Sequence, residues 1–321
     1  MALSLLFIVD PLAKLKEYKD STVAMMREAA RRGHAIFACT VDEMAYSGAV
    51  RATVHRLRIT REAEPWYEDL GTEVAPLTAF DAVLMRKDPP FDVEFLNATL
   101  LLSRARAEGA RVINEPQALR DHNEKLAIAE FAEFIAPTLV TRDIGLIKQF
   151  HREHGDIVVK PLDGMGGSGV FRLASGDPNL NSILETLGAH GTRTIMAQRY
   201  IPEIVDGDKR VLLIAGAAVP YCLARVPAPG ESRGNLAAGG IGRAQPLSDN
   251  DKRIAATLGP VLAARGLLLV GLDVIGNHLT EVNVTSPTCF VEITEQTGCN
   301  VAAMFIDALE KEIAGASHAR T

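Results

Sequence analysis

The sequence predicts an α/β fold whose first third forms a parallel sheet, and three observations lead to this class. Short apolar runs at residues 3–9, 35–39 and 82–85 alternate with helical patterns, as in βαβ units. The chain is 47% hydrophobic and 23% charged, close to the average of soluble globular proteins. Its 321 residues are enough for about two domains, or for one large α/β unit.

Helix signals separate the apolar runs of the first third. Ser21 or Thr22 can cap a helix that runs to Gly33, with arginines near its C-terminal end. A second helix is predicted over 93–108, and a fourth strand follows at 111–114. Strands spaced by helices in this way indicate a parallel sheet.

The pattern changes after residue 122, where hairpins replace the regular alternation. A short amphipathic helix is predicted at 123–134. The later predicted strands lie at 139–141, 157–161, 170–173, 194–198, 211–214 and 217–225, and in a hairpin across Gly276. The later predicted helices lie at 143–153, 180–187, 248–265 and 301–313.

Charge and cysteine content argue against several classes of protein. The 34 Lys and Arg against 40 Asp and Glu give a net charge of −6, which disfavours nucleic-acid binding. No apolar run approaches the ~18–20 residues of a membrane span, and residues 2–9 lack the flanks of a signal peptide. The four cysteines lie at positions 39, 222, 289 and 299, and no two of them form a CxxC pair. We therefore expect reduced thiols in a cytoplasmic protein.

A glycine-rich segment at 160–169 is the densest chemical signal in the chain. Lys160 ends a predicted strand, and Gly164, Gly166 and Gly167 follow it. Backbone N–H groups of glycine loops can approach phosphate oxygens closely. In a Walker A loop the lysine follows the glycines, whereas here it precedes them. The segment predicts a flap over phosphates with Lys160 beneath it; the alternative is a flexible hairpin with a solvated lysine.

Three side chains with hard oxygen ligands lie in an apolar hairpin: Asp273, Glu281 and Asn283. Mg²⁺ prefers oxygen ligands and commonly bridges substrate phosphates. Unpaired carboxylates inside apolar strands are costly, which favours a metal site. The alternative is the solvated face of an antiparallel sheet.

The turn of this hairpin decides whether the metal site can form. A two-residue turn at 276–277 places Asp273 and Glu281 on opposite faces. A three-residue loop at 276–278 places them on one face together with Asn283. The metal hypothesis therefore requires the three-residue loop.

Arginines are the third signal, because guanidinium groups bind carboxylates and phosphates through two hydrogen bonds. Arg210 begins a predicted strand, Arg225 ends the partner strand, and Arg233 lies in the long loop 227–242. A long loop rich in Gly and Ala is typical of a lid. The alternative for Arg233 is a solvated surface residue.

Two further cations are candidates for ligand binding. Arg86 and Asp10 each follow a predicted parallel strand, at the edge where ligands of such sheets collect. Arg86 could bind a substrate carboxylate or form a surface salt bridge. Lys125 could contact a second phosphate, although taken alone it is typical of a surface lysine.

Long motifs lie at 84–92, 160–167, 206–210, 233–240 and 281–288. Together they resemble the bacterial glutathione synthetase family, within the ATP-grasp superfamily of ligases. The resemblance implies an ATP-grasp fold, in which two α+β subdomains clamp ATP, preceded by an N-terminal parallel-sheet α/β domain.

The same resemblance implies a division of the chain into domains. The N-terminal domain would span 1–122, the small ATP-grasp subdomain 123–200 and the C-terminal catalytic subdomain 201–321. A mobile loop at 226–243 would close over the site.

The resemblance also implies roles for groups of residues. ATP would be bound by Lys125, Lys160, Gly164, Gly166, Gly167, Gln198, Arg199, Tyr200, Ile201 and Asp208. The metal, Mg²⁺ or Mn²⁺, would be held by Asp273, Glu281 and Asn283. γ-Glutamylcysteine would be held by Arg86, Arg210, Ser286 and Thr288. The catalytic arginines would be Arg210, Arg225 and Arg233.

The implied reaction joins γ-glutamylcysteine and glycine to glutathione through an acyl phosphate, with release of ADP and phosphate. Phosphoryl transfer depends mainly on positioning and charge stabilisation, which lysines, arginines and a cation supply. The alternatives are an ATP-grasp ligase for a different carboxylate and amine, or an ATP-binding regulatory module without turnover. The resemblance also implies a homotetramer joined through the N-terminal domain, and neither nucleic acid nor membrane is an expected partner.

Overall fold

The structure, a computed structural model, describes residues 2–60, 65–231, 233–236 and 239–318. Within these ranges the strands form three sheets, which we call the N-terminal, central and C-terminal sheets in chain order. No helix in the described ranges combines the length and apolarity needed to cross a membrane.

The N-terminal sheet is mixed rather than purely parallel. Its strands are β1 (Ser4–Ile8), β2 (Ala35–Cys39), β3 (Met44–Tyr46), β4 (Val50–Ile59), β5 (Tyr67–Pro76), β6 (Ala82–Met85) and β7 (Val112–Ile113). Their order is β3-β4-β2-β1-β6-β7, with β5 paired to β4. The predicted parallel pairing is confirmed for β1, β2, β6 and β7. The prediction missed β3, β4 and β5, which pair antiparallel. Of these, β5 is largely exposed and lacks an apolar pattern.

Three helices accompany this sheet in the described chain: α1 (Ser21–Arg31), α2 (Val93–Ala107) and α3 (Pro116–Asp121). The predicted cap of α1 was wrong, because Asp20 caps it by accepting hydrogen bonds from the backbone N–H groups of Thr22 and Val23. Ser21 and Thr22 are buried inside the helix, where their hydroxyls accept hydrogen bonds from Phe290 N and Arg86 Nε.

The central sheet is antiparallel and has its own core. Its strands are β8 (Thr138–Thr141), β9 (Ile157–Pro161), β10 (Phe171–Leu173) and β11 (Ile195–Arg199), in the order β10-β9-β11-β8. Helices α4 (Ile144–His154) and α5 (Leu180–Leu187) cover it, and Ile147, Val159 and Leu184 are fully buried among them. The helix predicted at 123–134 is a 3₁₀ helix over Leu126–Phe134 with a kink at Phe131.

The C-terminal sheet is also antiparallel. Its strands are β12 (Asp208–Ile214), β13 (Ala217–Val226), β14 (Ile241–Pro246), β15 (Leu269–Ile275) and β16 (His278–Asn283), in the order β14-β13-β12-β15-β16. The helices are α6 (Asp249–Ala264), α7 (Phe290–Thr297) and α8 (Val301–His318). Helix α7 was not predicted: it is short and begins after Cys289, whose backbone is left-handed with φ 85°.

The N-terminal and C-terminal sheets are joined by a shared core. Leu6 and Val83 belong to the same buried cluster as Val211 and Val274. The buried amide of Asn114 adds polar links, because its Nδ2 donates to the carbonyls of Leu269 and Val284 at 2.8 and 2.9 Å. The central sheet keeps its own core apart from Met196, which belongs to the shared cluster, and a cleft lies between it and the C-terminal sheet.

Candidate active site

A cavity that opens to solvent lies between the central and C-terminal sheets. Arg233 and Glu281 line it. Every residue predicted to bind ATP lines it as well: Lys125, Lys160, Gly164, Gly166, Gly167, Gln198, Arg199, Tyr200, Ile201 and Asp208. The fold therefore collects these predicted residues into a single cleft.

Two lysines lie beneath the glycine loop. Lys160 is the next-to-last residue of β9, and Lys125 Nζ donates to the carbonyl of Gly164 at 2.6 Å. Both ammonium groups approach Glu281 Oε1, at 3.5 Å from Lys125 and 3.6 Å from Lys160. Burial lowers the pKa of Lys160, although the nearby Glu281 carboxylate opposes this shift. Two buried cations that share one carboxylate leave positive charge for an anionic ligand.

The glycine loop takes a shape that other residues would resist. Gly166 and Gly167 have φ of 60° and 82°, in the left-handed region. A Cβ at Gly167 would lie 2.7 Å from Asn235 Oδ1, and one at Gly164 would lie 2.9 Å from a carbon of Pro161. The backbone can therefore lie close against both the strand below and the covering loop above.

The segment after β11 forms the hinge side of the cavity. The buried Gln198 donates from Nε2 to the hydroxyl of Thr138 at 3.0 Å. Arg199 is exposed at this wall. The guanidinium of Arg172 lies 3.9 Å from the ring centroid of Tyr200, a cation–π contact that fixes the ring. This wall combines apolar and polar groups, as a site for a flat heterocycle requires.

The structure decides between the two turns that the sequence left open for the hairpin of β15 and β16. Its two-residue turn pairs Ile275 with His278, contrary to the three-residue loop that the metal hypothesis required. The register shifts further along, so that Asp273 pairs with Glu281 and Gly271 pairs with Asn283. A β-bulge thus places all three predicted metal ligands on one face.

A buried charge network lies on the same sheet. Arg210 binds the Asp273 carboxylate through two hydrogen bonds of 2.5 and 3.0 Å. Arg225 bridges the carboxylates of Asp208 at 2.5 Å and Asp273 at 2.9 Å. Burial alone would raise the pKa of Asp273, but Arg210 and Arg225 hold it well below its usual range. Asp273 is therefore a carboxylate in its charged form.

Asp208 is the exception in this network. Burial raises its pKa to about 7, and the charges of Asp273 and Glu281 add to this shift while Arg225 opposes it. Within the described chain no hydrogen-bond donor reaches its buried Oδ1 atom. An orphaned carboxylate oxygen at a cleft wall is a group that a bound cation or a ligand hydroxyl would satisfy.

The donor set fits a hard cation that is completed by a ligand. Asp273, Glu281 and Asn283 offer oxygen atoms on one face, as Mg²⁺ prefers. In the part of the chain that is described, no three His, Cys, Asp or Glu side chains group into a metal cluster by themselves. Mg²⁺ characteristically uses one or two carboxylates plus substrate phosphates, so this set suits it.

The residues predicted to bind the dipeptide lie next to this network. Arg86 is buried, and its NH2 atom donates to the carbonyl of Pro287 at 2.9 Å, between Ser286 and Thr288. Burial lowers the pKa of Arg86 to about 10. A Cβ at Gly271 would meet both Arg210 and Pro287, so the 286–288 loop lies against Arg210.

The covering loop runs over 227–240, because β13 extends to Val226 and β14 begins at Ile241. Ser232, Ala237 and Ala238 lie outside the described residues. Arg233 pairs with Glu231, donating from Nε at 3.0 Å and from NH2 at 2.6 Å. Its NH1 atom donates to the carbonyl of Gly167 at 3.1 Å. One guanidinium thus links the covering loop to the glycine loop.

Sequence reasoning missed three residues of this region. Thr280 forms the bulge of β16, Glu231 pairs with Arg233, and Asp88 hydrogen-bonds Ser286 beside Arg86. Asp88 could have been found, because it follows Arg86 by two positions at the same strand end. The bulge and the pairing within the loop depend on the folded backbone and leave no pattern in the sequence.

Comparison with solved structures identifies the class of fold. The D-cycloserine synthetase DcsG superposes with a TM-score of 0.68 at 15% identity, covering 96% of this chain and 99% of that one. The ATP-grasp ligase PsnB, solved with a minimal precursor, Mg and ADP, has a TM-score of 0.61 at 17% identity, covering 97% and 98%. At these identities the likeness shows the fold, which is that of the ATP-grasp ligases.

Sequence comparison identifies the family within that class. Residues 3–120 match the N-terminal domain of prokaryotic glutathione synthetase, and residues 124–298 match its ATP-grasp domain. The glutathione synthetase of Ralstonia nicotianae is 62% identical, covering 98% of this chain and 97% of that protein. That of Nitrosomonas europaea is 57% identical, covering 97% and 99%. The chain belongs to the prokaryotic glutathione synthetase family.

Proposed function

We propose that this chain catalyses the ATP-dependent ligation of γ-L-glutamyl-L-cysteine and glycine to glutathione, with ADP and phosphate as the other products. The observation that carries the proposal is the 62% identity to a glutathione synthetase over nearly the whole of both chains. The cleft supports it, because all ten residues expected to contact ATP line one cavity.

The first step forms an acyl phosphate. A cysteinyl carboxylate oxygen attacks the γ-phosphorus of ATP, the new O–P bond forms, and the bond to the β-phosphate oxygen breaks to release ADP. Lys125 and Lys160 lie where they can hold the phosphates, and the glycine loop closes over them. Phosphoryl transfer of this kind needs positioning and charge rather than covalent help from the protein.

The second step forms the peptide bond. The neutral glycine amine attacks the acyl carbon, phosphate leaves as the carbon–oxygen bond breaks, and the proton that the nitrogen loses passes to the departing phosphate. The developing negative charge lies near Arg225 on the sheet and Arg233 on the covering loop in this proposal. Donors placed at a developing oxyanion are worth about 10²–10³-fold in rate each. The covering loop also excludes water, which would otherwise hydrolyse the acyl phosphate.

Asp273, Glu281 and Asn283 would hold Mg²⁺, for which Mn²⁺ can substitute. The cation would neutralise phosphate charge and align the γ-phosphate with the attacking carboxylate. The orphaned Oδ1 atom of Asp208 lies at the same cleft wall and can take part in binding the nucleotide.

The remaining assignments concern recognition. Residues 198–201 would bind the adenine, with the Tyr200 ring fixed by Arg172. Arg86, Arg210, Ser286 and Thr288 would hold γ-glutamylcysteine. Arg86 and Arg210 both lie next to the 286–288 loop, which supports a shared role.

We further propose a cytoplasmic homotetramer joined through the N-terminal domain. Exposed apolar side chains on β5 support that surface, since Leu70 is 42% and Val74 is 63% exposed. Light scattering with the intact chain measures the assembly directly, and a monomer at micromolar concentration would contradict it.

The function is tested by measuring phosphate release with ATP and Mg²⁺ while one substrate is omitted at a time. We expect release that needs both γ-glutamylcysteine and glycine, together with stoichiometric glutathione. Release that needs γ-glutamylcysteine but ignores glycine would indicate a ligase for another amine. ATP binding without release under any combination would indicate a regulatory module.

A further inference from the structure

In the hairpin of β15 and β16, the register that the turn sets differs from the register that the proposed metal ligands require. The two-residue turn pairs Ile275 with His278. If that register continued, Glu281 would lie opposite Leu272, which is fully buried on the core face. A regular hairpin with this turn would therefore bury Glu281 among apolar residues.

One extra residue in β16, Thr280, shifts the register and keeps Glu281 off the core face. Val274 pairs with Leu279, yet the next pair is Asp273 with Glu281, so Thr280 has no partner of its own across the ladder. This is a β-bulge, a feature that occurs next to active sites and re-aims side chains. Both Glu281 and Asn283 reach the cleft face because of it.

Two hydrogen bonds hold the bulge. The hydroxyl of Thr280 donates to the carbonyl of Asp273 at 3.1 Å, directly across the interrupted ladder. The ammonium of Lys160 donates to the carbonyl of Thr280 at 3.3 Å. Thr280 is only 7% exposed, so carbonyls left without these partners would carry a desolvation cost. Thr280 therefore connects the strand that carries Asp273 to Lys160, the lysine proposed to hold a phosphate.

We propose that Thr280 is a positioning residue, whose hydroxyl fixes the bulge that brings Glu281 and Asn283 to the same face as Asp273. This inference rests on the proposed metal site. Thr280 does not itself coordinate the cation; it acts through the backbone of Asp273 and through the register of β16. Loss of such support around a metal site costs about 10–100-fold in affinity.

The test measures Mn²⁺ binding rather than turnover alone. Free Mn²⁺ is titrated by electron paramagnetic resonance against the intact chain in the presence of ADP. Thr280→Val removes the hydroxyl at nearly constant shape, and Thr280→Ser keeps it. Thr99→Val is the matched control, because Thr99 is fully buried, its hydroxyl donates to the carbonyl of Leu96 within α2, and neither residue lines the cleft.

We expect Mn²⁺ to bind roughly tenfold more weakly to Thr280→Val, while Thr280→Ser and Thr99→Val stay within about twofold of the parent chain. The Mg²⁺ concentration for half-maximal phosphate release should rise in parallel, with turnover at saturating Mg²⁺ changed less. Thr280→Ala replaces the valine variant if the latter does not fold.

Two results would overturn the proposal. Unchanged Mn²⁺ affinity in Thr280→Val would show that the bulge holds without the hydroxyl, and equal weakening in Thr280→Ser would show that the hydroxyl is not the cause. Failure of the parent chain to bind Mn²⁺ with ADP is a different outcome, which removes the metal site itself and the role of Thr280 with it.

Discussion

Arg225 and Arg233 carry the same charge in two contrasting regions of the cleft. Arg225 lies on the C-terminal sheet with 5% of its side chain exposed, between the carboxylates of Asp208 and Asp273. Arg233 lies on the covering loop with 32% of its side chain exposed, paired with Glu231 two residues away. Burial alone would lower the pKa of Arg225, but the carboxylates of Asp208 and Asp273 raise it. The pKa of Arg233 is raised by its hydrogen bond to Glu231.

The difference in burial means that the charge of Arg225 is fixed in place, whereas Arg233 can exchange its partner. A buried ion pair is costly to break, because the remaining charge has no water to solvate it. An exposed pair contributes about 0–1 kcal/mol and can be exchanged for a stronger partner. We infer that the sheet charges set the geometry of the cleft, while Arg233 is free to exchange Glu231 for a phosphate or acyl-phosphate oxygen.

The largest effect is expected from Asp273→Asn, which removes the carboxylate shared by Arg210 and Arg225. The variant should lose about 3–5 kcal/mol of unfolding free energy, because two buried guanidinium groups lose their common partner. Turnover should fall on the order of 10³-fold, since the same carboxylate belongs to the proposed metal set. Urea unfolding and phosphate release measure the two effects.

Asp307→Asn is the matched control for this change. Asp307 forms an ion pair with Arg32 at 2.6 Å, but its side chain is 57% exposed. The control should lose less than about 1 kcal/mol and retain its turnover. Equal stability losses in the two variants would remove the contrast between buried and exposed charges.

The next effect is expected from Arg233→Ala, which should bind ATP normally but ligate about 10²–10³-fold more slowly. The unfolding free energy should hardly change, because water reaches both members of the Arg233–Glu231 pair, whose side chains are 32% and 27% exposed. Arg58→Ala removes an exposed arginine of the N-terminal sheet, which pairs with Glu68, and serves as the control. Unchanged turnover in Arg233→Ala would contradict a role at the reacting group.

A smaller effect, dependent on pH, is expected from Asp208→Asn. Because burial raises the pKa of Asp208 to about 7, the folded chain holds a proton that the unfolded chain has released from about pH 4 upward. The unfolding free energy of the parent chain should therefore fall as pH rises from about 4 to 7, by at most about 1.4 kcal/mol per unit from this group. Asp208→Asn should lack this contribution.

The measurement is the difference in unfolding free energy between the parent chain and Asp208→Asn at several pH values. A difference that stays constant from pH 4 to pH 7 would show that Asp208 has an ordinary pKa in the folded chain. Asp208 would then resemble Asp273, as a carboxylate that Arg225 keeps in its charged form.

The smallest effect is expected from Glu231→Gln, which sharpens the contrast within the covering loop. Removing the competing carboxylate should raise the rate of ligation by no more than about fivefold, because Arg233 is then released for the reacting group, while ATP binding stays unchanged. Initial-rate kinetics at low ionic strength provide the measurement. A lower rate of ligation would mean that Glu231 aids Arg233 instead of competing for it.

The sequence predicted the fold best where apolar residues mark a buried face. Strand β1 and helix α2 were predicted within about two residues of their bounds, because β1 is buried on both faces and α2 buries one face in the core. Strand β5 was missed because almost all of it is exposed, so its sequence carries no alternation. The cap of α1 was predicted wrongly because Asp20, Ser21 and Thr22 are all residue types that cap helices, and tertiary contacts of Ser21 and Thr22 decide among them.

The candidate site was predicted where its chemistry is carried by residue type and spacing. The glycine loop after Lys160 and the Asp273, Glu281, Asn283 set are of this kind. The pairing of Asp208 with Arg225 was not foreseen, because β12 begins at Asp208, earlier than the predicted strand at 211–214. A one-residue bulge changes the face of every later side chain without changing composition, so only the folded hairpin reveals it.

The acyl phosphate is the central claim, and isotope transfer tests it most directly. γ-Glutamylcysteine labelled with ¹⁸O in its cysteinyl carboxylate is ligated to glycine with unlabelled ATP in unlabelled water. Because the attacking carboxylate oxygen stays with phosphorus when the acyl carbon–oxygen bond breaks, one ¹⁸O should appear in each phosphate and one should remain in glutathione. Phosphate free of ¹⁸O alongside normal glutathione formation would contradict the account.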